Sequence, residues 1–337
     1  VNKEGLIEVV GNNEPRIDYK DNSEGALLLE PSRSNLFAYS QDFSNSYWSK
    51  VSITATDNYG ISPNGQLNSS RIYSSNAQSN HRVFKSLNFS NLAYTVSVYA
   101  KSNGSNQSFR MSRYDGNQYF SDDFILTNEW QRYTWTFNSD AFTGGDLWLV
   151  TTSSIGVGSE LDIQIYGAQL EIGSYATSYI PTSGGIATRN ADSTSQTVPD
   201  GVIGQTEGTL FVDFNIDVTS DFKHILNIKN STNSERVIVY VRNTNLLRYQ
   251  YPNGTYDEGS ALSSGNHKIA ITYSGSNISF FRDGVKLTTN TNFAKTVTFS
   301  EISIGNYLNI DQLGNVINQS LFYNNALTDA EAIALTS

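Results

Sequence analysis

The feature that most constrains this chain is an alternation of apolar and polar residues with period two, repeated along its length. The stretches AYTVSVYAKS (Ala93–Ser102), RYTWTFNS (Arg132–Ser139), ERVIVYVRN (Glu235–Asn243) and HKIAITYSG (His267–Gly275) each put apolar side chains on one face of an extended chain. Segments of this kind bury one face and wet the other, so they read as antiparallel strands. Turn signals fall between them at short intervals: SPNG (Ser62–Gly65), KSNGSN (Lys101–Asn106), PNG (Pro252–Gly254) and RDG (Arg282–Gly284). That spacing is the pattern of an all-β sandwich. One stretch, LTDAEAIAL (Leu327–Leu335), reads as helix, with Thr328 as N-cap and Glu331 three residues later completing a capping box.

A chain of 337 residues exceeds one ordinary core and suits two. Periodicity lapses over TRNADSTSQTVPDGVIGQTEG (Thr188–Gly208) and restarts at TLFVDFNIDV. The expected plan is a lead-in over 1–26, a first domain over 27–193, a linker over 194–206 and a second domain over 207–337. No repeat of 20 to 50 residues is visible, which argues against a propeller or solenoid.

Composition narrows the partners. Charged residues are 16% of the chain and the net charge is −10, so the surface is built largely from Ser, Thr, Asn and Gly, which suits neutral hydroxylated ligands or proteins. Nucleic acid is not expected as a partner, because clustered cations are what phosphates require. Without cysteine there are no disulfides, thiolate zinc sites or thiol nucleophiles. No apolar run reaches the roughly 18 residues of a membrane span, so no membrane insertion is expected. Val1–Val10 lacks a signal peptide's plan, and the opening VNKEGLIEVV reads as part of something longer.

Candidate binding residues are aromatic, because sugar C–H faces stack on rings while amides and hydroxyls catch the OH groups. Tyr47 and Trp48 follow a Ser/Asn loop, and Trp148 follows a Gly pair in GGDLWLVTT. RMSRYDGNQYFSDDF gathers Arg113, Tyr114, Asn117 and Tyr119 around a DG turn. In LRYQYPNGTYDEG, Tyr249, Tyr251 and Tyr256 flank an NG turn, and Tyr249 and Tyr251 share a face that either binds or packs across the hairpin. Trp135 fits either a core or a surface role. Asp122 and Asp123 point to opposite faces if extended. His81, His224 and His267 show no metal-binding spacing, GVGSE (Gly156–Glu160) opens no helix, and no serine lies in Gly-x-Ser-x-Gly.

The second half, through HKIAITYSGSNISFFRDGVKL and the closing SLFYNNALTDAEAIAL, resembles the concanavalin A-like, laminin-G-like lectin sandwich. The first half resembles modules of phage tail and tail-fibre proteins related to jelly-roll carbohydrate-binding modules. Its marks are GLIEVVGNNEPRIDY, LLLEPSRSNLFAYSQDFSNSYWSK, EWQRYTWTF and YGAQLEIGSYATSYIPT. The resemblance implies two antiparallel β-sandwiches, a jelly roll and then a concanavalin A-like domain. It also implies a non-catalytic adhesin of a virion tail or surface appendage that recognises cell-surface polysaccharide. Such a protein would assemble with other virion proteins, as a homotrimer or attached to one. The alternatives are tandem binding modules of a secreted, extracellular polysaccharide-degrading enzyme, or a glycan hydrolase or lyase.

The same resemblance puts Trp130 in a core and implies a structural Ca2+, with Glu30 of LLLEP and Glu171 of QLEIG sharing it if their strands pair. Salt bridging to Arg33 or Arg189 is the competing role. Laminarinase-like hydrolases carry Glu-x-Asp-x-x-Glu on one strand. ELDIQI (Glu160–Ile165) lacks the second Glu, and so lacks the carboxyl that would protonate a leaving oxygen.

Overall fold

The computed structural model describes residues 1–75, 81–104, 107–139, 144–152, 160–218, 222–306 and 313–337. Part of the KSNGSN turn and Gly156–Ser159 of GVGSE lie outside the described residues. Among the described residues the fold is all-β, with every strand pairing antiparallel, and one helix at Asp329–Thr336. It divides into two compact units. One is discontinuous, Val1–Ser32 with Asn190–Ser337, and the other, Arg33–Arg189, is inserted into it.

These boundaries differ from the expected ones because the lead-in supplies strands to the second half. Ala26–Leu29 pairs with Asn315–Tyr323, Leu27 opposite Ile317, and Ile17–Asp18 pairs with Ala26–Leu29 in turn. Nor is 194–206 a free linker: Gln196–Thr197 pairs with Glu301–Ile304 and Ile203 is buried in the core. Arg16 ties the two chain crossings together, its guanidinium binding Glu30 at 2.8 Å and also Asp192. The Glu30 backbone N–H donates to Asp192 at 2.7 Å.

In the discontinuous unit a seven-stranded and a six-stranded sheet face one core, which includes Leu210, Val212, Phe214, Val239, Tyr249, Ile271 and Phe280. The outer face of the larger sheet puts Phe211, Ala270 and Phe281 under the helix, which buries Ala332 against them. Thr328 accepts from the Glu331 N–H while Glu331 accepts from the Thr328 N–H, the capping box that the sequence predicts.

The inserted unit is a second sandwich. One sheet runs in the order Gln131–Asn138, Ala93–Ser102, Leu161–Ile172, Leu67–Ser74, Thr54–Ile61. The other runs Gln118–Phe120, Gln107–Tyr114, Gly144–Thr152, Arg82–Asn88, Ser49–Val51, with Phe124–Leu126 also on Gln107–Tyr114. Val83, Val96, Val98, Phe109, Met111, Leu147, Leu149 and Ile163 fill the space between them. Leu161–Ile172 holds a bulge between Tyr166 and Gln169, where Gly167 takes φ +66°. The extra residue swaps the alternation, so Gln164 and Tyr166 before it share a face with Gln169 and Glu171 after it. The chain then folds back over that face: Thr177 donates to Glu171, and the Ile180 N–H donates to Gln169 Oε1 at 2.7 Å.

Candidate functional site

The second sheet of the inserted unit presents a ring-bearing outer face. Pairing puts Trp148 opposite Phe84 on one side and Ser112 on the other, and Ser112 opposite Phe120. Side chains directly across a sheet share a face, so Phe84, Trp148, Ser112 and Phe120 form one row. Two residues along, Ser86, Asp146, Tyr114 and Gln118 form the next. Leu147, between the rows, and Val83 and Met111, which alternate with Phe84 and Ser112, are wholly buried, which sets the two rows on the side turned from the core. A bulge after Trp148 sends both Leu149 and Val150 into the core and brings Thr151 back level with Arg82 and Arg110 as a third row.

Three strand spacings separate Phe84 from Phe120, about 14 Å of surface. Tyr114 is 44% and Phe120 39% exposed, whereas Trp148 is 8% exposed and forms the floor. The Arg82 guanidinium sits 4.5 Å from the Trp148 ring and 5.3 Å from Phe84, Arg110 sits 3.7 Å from the Phe120 ring, and Tyr114 lies 6.2 Å from Trp148. Polar groups lie among the rings: Ser86 Oγ donates to Asp146 at 2.6 Å, and the Gln118 amide reaches Ser112 Oγ at 3.4 Å. The Trp148 indole N–H is buried and has no hydrogen-bond partner among the described residues.

Of the residues singled out from sequence, the structure brings Tyr114 and Trp148 to this face. Asn117 is exposed at the tip of the adjoining hairpin, where its N–H donates to Asp115 in the expected DG turn. Arg113 and Tyr119 alternate to the opposite side: the Arg113 guanidinium lies 4.4 Å from the Tyr119 ring, binds the Asn138 carbonyl and contacts Asp115 at 3.5 Å. Trp48 is a core residue, 2% exposed, packed on Phe37 and Phe43 with its indole N–H on the Tyr39 carbonyl at 2.9 Å. Tyr47 packs beside it, under Lys85. Tyr249 and Tyr251 share a face as expected, and Tyr256 joins them from across the hairpin, but it is the inner face, stacked around Phe280. Burial and the neighbouring Glu258 carboxylate push the Tyr249 hydroxyl well above its ordinary range. Trp130 is only half-buried, its N–H on the Ile61 carbonyl at 3.0 Å, and Trp135 packs against the core. Phe84, Phe120, Arg82 and Arg110 went unmarked in the sequence; the alternation of RVFKSLN carries the signal, but only cross-strand register shows which face is wet.

Glu30 and Glu171 do not meet on paired strands. Ala26–Leu29 pairs with Asn315–Tyr323, whereas Leu161–Ile172 lies between Ala93–Ser102 and Leu67–Ser74. Glu30 binds Arg16, and the buried Glu171 accepts from the Thr177 N–H, the Thr177 hydroxyl and Gln169, with Arg33 at 3.9 Å. Each carboxylate is satisfied within its own unit.

ELDIQI shows the expected shared face, turned to a structural use. Asp162 is bound by both arms of Arg71 at 2.7 and 2.8 Å, and Gln164 accepts from Ser69 and donates to Asn103. Burial pushes the Asp162 carboxyl up, but the bonds from Arg71 and Asn103 outweigh it and hold it below the usual range. Ser263, His267 and Asp283 line up in the order of a nucleophile, base and orienter, with His267 Nδ1 2.8 Å from Asp283. Yet His267 Nε2 is closer to the Ser263 carbonyl oxygen, 3.0 Å, than to its hydroxyl, 3.4 Å. A nitrogen donating to that carbonyl holds no lone pair for the hydroxyl proton. Among the described residues no three His, Asp or Glu side chains gather as a metal site. A polar hollow of about 650 Å³ at one end of the inserted unit is lined by Tyr39, Asp42, Asp57, Asn68 and Thr182. Asp57 is already engaged there by Ser44, Ser70 and the Phe43 N–H.

No family model matches the chain, and no curated protein matches its sequence. Among solved structures it is similar to the CBM40 module of the Ruminococcus gnavus IT-sialidase bound to sialyllactose, at 17% identity and TM-score 0.33, covering 40% of this chain and 85% of that one. It is also similar to a SAP-like pentraxin from Limulus polyphemus, at 15% identity and TM-score 0.34, covering 43% and 76%. A third is domain 4 of an extracellular arabinanase from Geobacillus stearothermophilus in complex with arabinotriose, at 14% identity and TM-score 0.34, covering 42% and 71%.

Proposed function

We propose that this chain is a non-catalytic glycan-binding protein whose contact surface is the ring face of the inserted unit. One observation carries the reading. Tyr114 and Phe120 stand exposed on a rigid sheet, over a buried Trp148 and among hydroxyl, amide and guanidinium groups. Exposed rings on a fixed scaffold give a sugar its apolar contact at little entropic cost, and the polar neighbours give it orientation. The absence of catalysis is supported by the use of Asp162 and His267 in structural pairs.

In its finer form the protein is a virion tail or appendage adhesin for host-surface polysaccharide, assembled with other virion proteins as a homotrimer or attached to one. That form rests on the tail-protein resemblance of GLIEVVGNNEPRIDY and the motifs after it. The test is a glycan array run with the wild type and with Tyr114→Ala/Phe120→Ala. Binding that the double variant loses, with its unfolding midpoint kept, is expected. Binding that survives removal of both rings refutes the assignment, and turnover of a polysaccharide refutes the non-catalytic reading.

A further inference from the structure

We propose that the ring face recognises saccharides bearing an acetamido group, with the Trp148 indole N–H as the donor that reads it; this rests on the glycan-binding reading and specifies its ligand class. The face leaves a donor over. Trp148 is 8% exposed, its N–H is buried, and among the described residues no acceptor meets it. An indole nitrogen can only donate, and a buried tryptophan ordinarily finds a partner for that proton, because an unmatched donor opposes folding. Trp48 and Trp130 have theirs, the Tyr39 and Ile61 carbonyls. Trp148, on the ring face, is the one whose acceptor a ligand can bring.

The surroundings decide which acceptor fits. Trp148 stands in a row with Phe84, Ser112 and Phe120, and Tyr114 lies 6.2 Å from its ring. A sugar hydroxyl accepting there would carry its own proton in among the rings, one more donor to satisfy. An amide carbonyl carries none. Its own N–H points the opposite way across the planar trans amide, and Asp146 lies on that same face two residues along the strand, about 7 Å away. Two hydrogen bonds of about 2.9 Å with an amide between them span a similar distance. Asp146 Oδ1 takes the Ser86 hydroxyl, and no described residue engages Oδ2. The acetyl methyl then falls among the exposed Tyr114 and Phe120 rings. Turning the exposed Tyr114 ring aside opens the indole edge to the carbonyl, a side-chain change of the size that binding ordinarily brings. The group is uncharged, so it needs no anion contact from Arg82 or Arg110.

Chitotetraose and cellotetraose share one glucan backbone and differ in the acetamido group that replaces a ring hydroxyl, so the pair isolates that group. Both are titrated calorimetrically into the full chain. Chitotetraose should bind about tenfold more tightly, which is about 1.4 kcal/mol. This comparison needs no variant to fold. Trp148→Phe keeps an aromatic floor without the N–H and should bring the two affinities together. In the wild type, the indole N–H resonance that Trp148→Phe removes should move downfield with chitotetraose and stay in place with cellotetraose, a response that a merely structural tryptophan does not give. Equal wild-type affinities, or a Trp148 resonance that chitotetraose does not move, overturn the acetamido assignment and leave the glycan reading standing. Binding of neither tetrasaccharide also overturns the assignment, and the glycan reading falls with it only where the glycan array is blank as well.

Discussion

Replacing Asn35 by Ala should remove a large share of the inserted unit's margin of stability. Asn35 is wholly buried, and its amide uses every hydrogen-bonding position it has. Nδ2 donates to the Ala168 and Ile180 carbonyls at 2.9 Å each, and Oδ1 accepts from the Phe37 and Leu170 N–H groups at 3.1 and 3.2 Å. One side chain thus joins three stretches of chain: its own strand Arg33–Asn35, the bulged strand Leu161–Ile172, and the segment that folds back over it. A buried donor or acceptor left unmatched costs about 1–3 kcal/mol. Two orphaned N–H groups, with the carbonyls partly relaxing, therefore cost about 4 kcal/mol. In a domain of this size that lowers the unfolding midpoint by about 8–16 °C.

The assay is specific to the unit, because all four tryptophans, Trp48, Trp130, Trp135 and Trp148, lie within Arg33–Arg189. Urea unfolding followed by tryptophan fluorescence then reports on the inserted sandwich alone. Asn35→Asp keeps the acceptor but removes both donors and buries a charge, so it should be at least as damaging. A loss below about 1 kcal/mol for Asn35→Ala would show that the backbone finds other partners and that the network is not what locks these segments.

Three further outcomes can be checked. Asp162 is held below its usual range, so its pairing stabilises the fold above the ordinary carboxylate pKa of about 4 and is lost as pH falls through the lowered value; Asp162→Asn should be less stable than wild type at neutral pH and converge with it in acid, as pH-dependent melting will show. Lys50 Nζ donates to the Phe43, Ser44, Asn45 and Trp48 carbonyls at 3.0 to 3.1 Å, so Lys50→Met should cost about 2–4 kcal/mol and shift tryptophan emission as the loop around Trp48 loosens. Thr328→Ala removes the capping box and should cost about 1 kcal/mol, read in the discontinuous unit by denaturation followed by circular dichroism.

The legible parts of this fold were those that local pattern dictates. Alternation marked AYTVSVYAKS and HKIAITYSG as strands, and Thr328 with Glu331 marked the helix start, because both signals are written in neighbouring residues. The inner or outer sense of a face was not legible. Tyr249 and Tyr251 were correctly paired on one side, but only Phe280, a strand from a different part of the sequence, makes that side the core. Trp148 and Trp48 look alike as loop-following tryptophans. One lies on the outer face because its cross-strand partners are Phe84 and Ser112, the other inside because Phe37 and Phe43 receive it. The domain boundaries failed for the same reason, since Leu27 finds Ile317 across nearly the whole sequence.

That last pairing also sets an order of events during synthesis. The apolar strand Ala26–Leu29 emerges early, yet its partner strand Asn315–Tyr323 follows some 290 residues later, which at about 5–20 residues per second is roughly 15 to 60 s. The inserted unit is continuous in sequence and can close within that interval, held at its own ends by Arg33–Asn35 against Ala187–Arg189. The discontinuous unit cannot. For that time ALLL has only the short Ile17–Asp18 strand on one edge, and its other edge stays open to non-native pairing until Asn315–Tyr323 arrives.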